Sequence, residues 1–376
     1  MTDTPNVTEL DRRFMAAALR LGHRHLGRTG RNPSVGCILV ADRNGDPVVV
    51  GRGVTAAGGR PHAERQALKQ AGEDARGATA YVTLEPCAHG GEDSCSASLA
   101  AAGVARVVTA MEDPDPRTAG SGHALLREAG ISVTTDLMAE AARREHSGHI
   151  ARLTKDRPHV TLKLAVSADG MIGTRDGERM IITGKPAFDA VQALRASYDA
   201  IMVGIGTVLV DDPLLNVRLP GMQGRSPSRI VLDAMARIPE DARLLATAGD
   251  IPLIVMVSEE APEDNVAMFR DKGAEVIEMP QRPGGGLDTV TVLATLAEKG
   301  FTRVFAEGGS KVAANLVRDD LLDEVVIFRA PVVVGPDGVR ALDGMAMSAI
   351  ERSPRYRLVQ VGEVGDDEMR VYTRAV

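Results

Sequence analysis

Thr79-Ala80-Tyr81-Val82-Thr83-Leu84-Glu85-Pro86-Cys87 begins with a pattern typical of a β-strand and runs directly into a proline and a cysteine. A similar transition comes earlier, where a strand pattern at Pro47–Gly53 is followed by Pro61-His62-Ala63-Glu64 and a helical pattern. The alternation continues in strand patterns at Val35–Ala41, Val104–Ala110 and Ile131–Thr135, and helical patterns at residues 12–22 and 96–103. We therefore predict an α/β fold with His62 and Cys87 beyond the carboxyl ends of strands, where open α/β sheets bind ligands.

His62, Glu64, Cys87 and Cys95 supply one imidazole, one carboxyl group and two thiols. Zinc held by three protein ligands keeps a fourth position for water and lowers the pKa of that water to about 7. In zinc deaminases a glutamate beside the histidine ligand carries the proton and does not bind the metal. The set predicts a hydrolytic deaminase with His62, Cys87 and Cys95 on Zn²⁺ and Glu64 as the catalytic proton carrier.

The spacing of His62 and Glu64 restricts where a helix can begin. Two positions correspond to about 200° around a helix, so both side chains reach one metal only from its first turn. Pro61 is a residue type favoured at the first helical position, which predicts that the helix begins there. The helix N-terminus would also favour thiolates electrostatically.

Two other interpretations of the cysteines stay open from the residues alone. His89 could join His62, Cys87 and Cys95 in a closed structural zinc site, since such sites take four ligands. The thiols could also be unligated and buried. Cys37 differs, because it lies in a short apolar run and is predicted to be a core residue.

Length and composition limit the class of protein. The chain has 376 residues, which predicts two domains, and it has no Trp, so Val, Leu, Ile, Ala and Met must build the cores. A formal charge of -7 argues against a nucleic-acid partner. No apolar stretch approaches 18 residues, and the first residues carry no targeting pattern, so we expect a cytoplasmic protein with no membrane partner. Three cysteines form no disulfide framework.

The second half repeats the alternation. A polar helical stretch from about Met138 to Lys155 precedes Arg157-Pro158, so we place the boundary near residue 150, with domains 1–150 and 151–376. Strand patterns lie at Val160–Val166, Ala200–Val203, Arg229–Asp233, Ile251–Val257, Arg303–Ala306 and Glu324–Phe328, helical patterns at 288–299 and 311–318, and a hairpin-like pattern at Tyr356–Tyr372.

Two glycine-containing turns are candidate cofactor sites. Gly204-Ile205-Gly206-Thr207 and Glu307-Gly308-Gly309-Ser310 each follow a strand pattern and lead towards a helix, where backbone N–H groups can approach a phosphate. Neither is a full G-x-G-x-x-G, and tight connections would look the same. Arg179, Arg195 and Arg218 could hold an anionic substrate, or could be ordinary surface charges.

Ordered motifs cover essentially the whole chain. They are Asn32–Cys37, His62–Glu64, Thr83–His89, Asp113–Pro116, Lys163–Gly170, Ile182–Gly184, Asp199–Ile201, Gly206-Thr207, Asp211–Pro213, Arg218 and Glu307–Gly309. With these motifs the chain resembles the bifunctional riboflavin-biosynthesis enzymes, in which diaminohydroxyphosphoribosylaminopyrimidine deaminase is fused to 5-amino-6-(5-phosphoribosylamino)uracil reductase. The resemblance implies a cytidine-deaminase-like three-layer α/β/α domain, followed by a dihydrofolate-reductase-like α/β domain that binds NADPH.

The resemblance also implies residue roles. Asn32 would contact the pyrimidine, while His62, Cys87 and Cys95 hold zinc and Glu64 carries the proton. The implied NADPH-binding residues are Ala165, Ile181, Thr207, Asp211, Gly309, Ser310 and Lys311. The implied substrate-binding residues of the second domain are Arg179, Arg195, Leu215, Arg218 and Glu307.

The implied chemistry has two steps on a small phosphoribosylaminopyrimidine. The first is hydrolytic deamination of 2,5-diamino-6-(5-phosphoribosylamino)pyrimidin-4-one, and the second is NADPH-dependent reduction of the ribosyl side chain to ribityl. We also expect a homo-oligomer. The alternative is a zinc-dependent nucleoside or nucleic-acid deaminase whose second domain is inactive or repurposed.

The chain departs from the family's pattern in three features. The family usually spaces its two cysteines one residue further apart, with a basic residue and prolines between them, whereas the loop between Cys87 and Cys95 is acidic at Glu92 and Asp93. Ile181 stands where the family often has Trp, and Asp115 where it often has Asn.

Overall fold

The computed structural model describes residues 7–175 and 180–375. The chain divides into two compact units, Met1–Asp156 and Arg157–Val376. The predicted boundary near residue 150 falls inside the last helix of the first unit. Among the described residues, none of the helices combines the length and apolar character needed to cross a membrane.

A mixed sheet forms the centre of the first unit. Over residues 7–156 its strands lie in the order β2-β1-β3-β4-β5 and have the bounds β1 Gly36–Arg43, β2 Asp46–Val54, β3 Thr79–Val82, β4 Arg106–Thr109 and β5 Ser132–Thr134. Strand β1 is antiparallel to β2 and β3, while β4 and β5 are parallel to β3. The carboxyl ends of β2, β3 and β4 therefore share one edge of the sheet.

Helices cover both faces of this sheet. They are α1 Glu9–His23, α2 Ala63–Ala71, α3 Cys95–Ala101, α4 Ser121–Glu128, α5 Ala139–Glu145 and α6 Ser147–Lys155. Helix α1 contacts α5, while α2, α3 and α4 contact one another in succession. A Cβ on Gly36 would collide with α1, so α1 packs on the sheet face to which Gly36 points. The next residue, Cys37, points to the opposite face and is paired with Gly53, where a Cβ would collide with α2. Helices α1 and α2 therefore lie on opposite faces, which gives the expected three-layer α/β/α arrangement.

The core of the first unit is built from small and aliphatic side chains, as its composition predicted. Cys37 lies in this core with no exposed surface, as expected. The hydroxyl of Tyr81 donates a hydrogen bond to buried Asp11 at 2.8 Å, and Arg106 donates to the same carboxylate at 2.8 Å. These contacts connect α1 to β3 and β4.

The second unit contains a larger sheet. Over residues 157–175 and 180–375 its order is β11-β10-β9-β8-β12-β6-β13-β16-β15. The bounds are β6 His159–Val166, β7 Met171–Thr174, β8 Ala200–Gly204, β9 Ser228–Leu232, β10 Leu253–Val257, β11 Glu275–Glu278, β12 Arg303–Ala306, β13 Glu324–Arg329, β14 Gly338–Arg340, β15 Tyr356–Val364 and β16 Asp367–Arg374. The first seven strands in this spatial order, from β11 through β6 to β13, are parallel. The terminal hairpin of β15 and β16 is antiparallel, and β16 is antiparallel to β13. Strand β7 pairs separately with β14.

The helices of the second unit are α7 Lys185–Arg195, α8 Ile205–Asp211, α9 Arg243–Ala246, α10 Glu263–Asp271, α11 Thr289–Glu298, α12 Ser310–Arg318 and α13 Ser348–Glu351. Both glycine turns begin helices as predicted, since Gly204 caps α8 and Gly309 caps α12. A Cβ on Gly204 or Gly308 would lie 2.8 or 2.7 Å from Val312. These two glycines therefore let α12 pack closely against its neighbours.

Candidate active sites

His62 and Glu64 lie where α2 begins, beyond the carboxyl end of β2. His62 is the N-cap and Glu64 the second helical residue, so both come from the first turn as predicted. The predicted role of Pro61 as the first helical residue is wrong, because the helix begins at Ala63 and Pro61 precedes the cap. A Cβ on Gly53 would lie 2.0 Å from the Ala63 carbonyl oxygen, so glycine there lets this turn rest on the strand.

The two cysteines approach His62 from the next strand-to-helix connection. Cys87 follows β3, and Cys95 is the first residue of α3, which the Ser94 hydroxyl caps by accepting from the Ala97 N–H. His62 Nδ1 lies 3.7 Å from Cys87 Sγ and 3.4 Å from Cys95 Sγ. All three ligand atoms lie within 4.8 Å of one another. The structure thus brings the predicted ligands together.

The donor set fits a zinc ion. With Zn–S of about 2.3 Å and Zn–N of about 2.0 Å, tetrahedral geometry separates a nitrogen from a sulfur ligand by about 3.5 Å. The two observed separations lie on either side of that value. His89 is exposed and stands outside the group, so the described residues do not supply the four ligands of a closed structural site.

Glu64, the predicted proton carrier, is buried. Its side chain is 3% exposed, and Oε2 has no hydrogen-bond partner among the described residues. Burial raises the pKa of the Glu64 carboxyl, and the nearby Cys87 thiolate raises it further. A hydrogen bond from the Cys95 thiol lowers the pKa of Cys87 to about 4, while that contact and burial raise the pKa of Cys95. A bound dication would favour ionisation of both thiols.

His62, Glu64 and Cys87 line a cavity of about 200 Å³. Asn32, which is predicted to contact the pyrimidine, lines the same cavity. The other lining residues are Arg31, Pro33, Val35, Thr55, Leu84, Glu85, His89, Asp113, Asp115, Arg117, His149, Arg152 and Leu153. The arginines and His149 were not identified from the sequence, because they come from segments distant in the chain.

Glu85 has a positioning role that was also missed. Its buried carboxylate accepts backbone N–H groups of Gly122 at 2.8 Å, Asp113 and Gly120 at 3.0 Å, and His123 at 3.2 Å. One side chain therefore fixes the segment 113–123, which borders the cavity. A possible signal was a carboxylate directly after a buried strand and beside the predicted ligand Cys87.

A second cavity, of about 810 Å³, lies in the second unit. Most of the implied cofactor- and substrate-binding residues line it, namely Ala165, Ile181, Thr207, Asp211, Gly309, Arg195, Leu215, Arg218 and Glu307. Ser310 and Lys311 begin α12 beside this lining but are not part of it. Arg179 lies outside the described residues.

Arg195 and Glu307 bind each other. Arg195 Nε donates to Glu307 Oε1 at 2.5 Å and Nη2 donates to Oε2 at 2.9 Å, with both side chains 9% exposed. Arg195 Nη1 also donates to the Asn216 carbonyl at 3.0 Å. Burial opposes ionisation of Glu307, but Arg195 and Lys163 outweigh it and lower its pKa. Much of the donor capacity of Arg195 is therefore used within the protein.

Arg218 and Ile181 are more accessible. Arg218 Nη1 donates to Asn216 Oδ1 at 2.7 Å, its guanidinium carbon lies 5.1 Å from the centre of the Phe188 ring, and the residue is exposed. Ile181 is 77% exposed at the cavity edge. An arginine held at an open cavity edge suits an anionic group of a ligand.

Lys163 is a cavity residue that received no predicted role. It lies in β6, a central strand of the sheet, and burial lowers its pKa, while the nearby carboxylate of Glu307 acts in the opposite direction. A cation in the apolar run Val160–Val166 was the available signal, because a charged residue is seldom placed inside a buried strand without a local function.

Comparisons with known proteins match both units in order. Residues 8–111 match the cytidine and deoxycytidylate deaminase zinc-binding region, and residues 158–369 match the RibD C-terminal domain. The chain is 34% identical to the riboflavin biosynthesis protein RibD of Aquifex aeolicus, covering 98% of this chain and 99% of that protein. It is 36% identical to RibD of Escherichia coli, covering 95% and 97%.

Solved structures agree with this assignment. RibD of Acinetobacter baumannii matches with a TM-score of 0.83 at 32% identity, covering 97% of this chain and 99% of that one. A diaminohydroxyphosphoribosylaminopyrimidine deaminase/5-amino-6-(5-phosphoribosylamino)uracil reductase from Thermotoga maritima matches with a TM-score of 0.83 at 31% identity and the same coverage. The alternative with a repurposed second domain is not favoured. The chain belongs to the RibD family and is a bifunctional riboflavin-biosynthesis enzyme with a deaminase domain of the zinc-binding type followed by a reductase domain.

Proposed function

We propose that the first unit deaminates 2,5-diamino-6-(5-phosphoribosylamino)pyrimidin-4-one, and that the second unit reduces the ribosyl group of the product to ribityl with NADPH. The observation that carries the proposal is the convergence of His62, Cys87 and Cys95 beside a small cavity, which Glu64 also lines and where Glu64 Oε2 has no hydrogen-bond partner among the described residues. The family relationship of both units supports the pairing of the two reactions. A homo-oligomeric state and a cytoplasmic location stay predictions from the sequence.

In the deaminase half, His62, Cys87 and Cys95 would hold Zn²⁺, which supplies a water that ionises near neutral pH. Glu64 Oε2 accepts a proton from that water and passes it to the departing amino group, so ammonia is released. Its raised pKa makes the carboxylate a stronger base, which favours the uptake of a proton from water. Asn32 orients the pyrimidine by hydrogen bonding to its polar edge.

In the reductase half, NADPH supplies the hydride when bound. The cofactor would contact four residues of the cavity lining, Ala165, Ile181, Thr207 and Asp211. Gly309, Ser310 and Lys311 begin α12, where backbone N–H groups favour a phosphate.

The substrate would occupy the remainder of the second cavity. Leu215 would contact it, and Arg218 would pair with its phosphate. The Arg195–Glu307 pair would present one ordered carboxylate to the ribose. Arg179 is proposed as a further substrate-binding residue from the family resemblance alone.

The test uses the purified full chain with measured zinc content and the phosphoribosylaminopyrimidine substrate, with and without NADPH. We expect ammonia release without cofactor, followed by loss of NADPH absorbance once it is added. Zinc-loaded protein that releases no ammonia would overturn the deaminase assignment. If deaminated product is supplied directly and NADPH is not consumed, the reductase assignment is wrong.

A further inference from the structure

Three arginines from separate segments line the deaminase cavity. Arg31 follows α1, Arg117 lies in the segment fixed by Glu85, and Arg152 lies on α6. All three line the same cavity, and Arg31 and Arg117 lie close enough to Arg152 for their positive charges to act on it. One cavity therefore carries two of the predicted metal ligands, His62 and Cys87, and a group of cations.

The arginines differ in how fully they are neutralised. Arg117 forms a two-point pair with Asp115, with Nε–Oδ1 at 2.9 Å and Nη2–Oδ2 at 2.6 Å. Arg152 is half-buried, its Nε is buried without a partner, and no hydrogen bond or ion pair reaches it within residues 7–175 and 180–375. Burial lowers the pKa of Arg152, Arg31 and Arg117 lower it further, and Asp115 opposes them without cancelling the shift. An anion placed beside Arg152 would offset the remaining positive charge.

The carboxylates that line this cavity are already occupied, apart from Glu64. Glu85 accepts four backbone N–H groups, Asp115 binds Arg117, and Asp113 Oδ1 lies 3.5 Å from His149 Nε2. Glu64 is the predicted proton carrier. The lining therefore leaves Arg152 available for an external anion.

The acidic loop between the cysteines cannot serve the same purpose. Glu92 and Asp93 are exposed, and Arg65 is already paired with Asp93, with Nη2–Oδ1 at 3.2 Å. A phosphate near this loop would meet negative charge.

We propose that Arg152, with Arg31 and Arg117 beside it, binds the phosphate of the deaminase substrate. The inference rests on the proposed deaminase function and names the specificity residue of that site. A guanidinium presents two parallel donors that match a phosphate, and such charge-assisted contacts are stronger than neutral ones.

The first test compares Arg152→Gln with Arg143→Gln, a control at an exposed arginine of α5. For the phosphorylated substrate we expect KM to rise about 10- to 100-fold in the Arg152 variant, with kcat within about threefold. For the dephosphorylated substrate KM should be unchanged in both variants. Arg152→Lys should recover part of the loss, and zinc content should match the parent. An equal rise in KM for both substrates would overturn the proposal.

The second test does not depend on turnover. Ribose 5-phosphate is titrated calorimetrically into the zinc-loaded Arg218→Gln protein, with and without Arg152→Gln, so that any phosphate bound through Arg218 is removed from the comparison. Loss of a binding event on removing Arg152 supports the inference, and identical titrations overturn it. If the parent enzyme releases no ammonia, the deaminase proposal fails, while this titration still decides whether Arg152 binds phosphate.

Discussion

The two cavities differ in how some of their buried charged groups are partnered. In the first, Glu64 Oε2 and Arg152 Nε are buried without hydrogen-bond partners among the described residues, and two sulfurs face one imidazole. In the second, Arg195 and Glu307 neutralise each other with two-point geometry. Side chains that await an external partner depend on the surrounding backbone for their position. In the first cavity, Glu85 supports the backbone of segment 113–123. The Arg195–Glu307 pair needs no external ion to hold its geometry.

The largest expected effect is at Glu64, in the first cavity. Glu64→Gln keeps the size of the side chain but removes the proton carrier, so we expect deaminase turnover to fall about 10³- to 10⁴-fold. Zinc content and NADPH-dependent reduction of the deaminated product should be retained. Glu73→Gln, at an exposed carboxyl group of the same unit, is the matched control. Near-normal ammonia release from Glu64→Gln would remove this residue from the mechanism.

The next largest effect is expected when one partner of the Arg195–Glu307 ion pair in the second cavity is removed. Arg195→Met leaves Glu307 buried without its cation, which should lower the free energy of unfolding of the second unit by about 3–5 kcal/mol. Reductase activity should be lost and deaminase activity kept. Chemical denaturation followed by both assays measures this, and a decrease below about 1 kcal/mol would show that the pair contributes little.

The same pair gives a pH dependence with a defined sign. The pKa of Glu307 is lowered in the folded protein, so its stabilisation is complete above the ordinary value of 4.5 and is lost as pH falls through the lowered value. The parent should therefore lose stability in acid more steeply than Arg195→Met. Parallel denaturation curves of the two proteins across this pH range would contradict the assignment.

The backbone support of the first cavity is tested at Glu85. In Glu85→Gln an amide NH₂ replaces one acceptor oxygen and faces backbone donors, so we expect a loss of about 2–3 kcal/mol in the first unit. Deaminase kcat should fall because segment 113–123 shifts, while zinc content is retained. Glu112→Gln, an exposed neighbour, is the control. Unchanged stability would mean that the four hydrogen bonds are dispensable.

The smallest effect is expected at the accessible edge of the second cavity. Arg218→Ala should raise the KM of the reductase step about 10-fold, because an exposed charged contact to phosphate is lost. The deaminase should be unaffected. Equal losses in the two assays would instead indicate a folding defect, which thermal unfolding would reveal.

Much of the fold was predictable because its signals are local. The strands beside the ligands, the helix carrying His62 and the terminal hairpin follow from alternating or periodic apolar residues. Helices α4, α7 and α10 and the one-turn helices α9 and α13 were missed. Helix α4 has eight residues and α9 and α13 have four each, so none of these three repeats the helical pattern for more than about two turns. The start of α2 was displaced because Pro61 precedes the cap.

Residue types and their order determined the predicted metal ligands, the predicted proton carrier and the two-domain plan, because a histidine, two cysteines and a glutamate have few other joint uses. Only the tertiary structure decided that Arg195 and Glu307 satisfy each other and that Glu85 holds a distant loop. It also decided that Arg152, which has no hydrogen-bond partner among the described residues, lines the same cavity as His62 and Cys87. Pairing and burial depend on which distant segments meet, and that information is spread over the whole chain instead of any one motif.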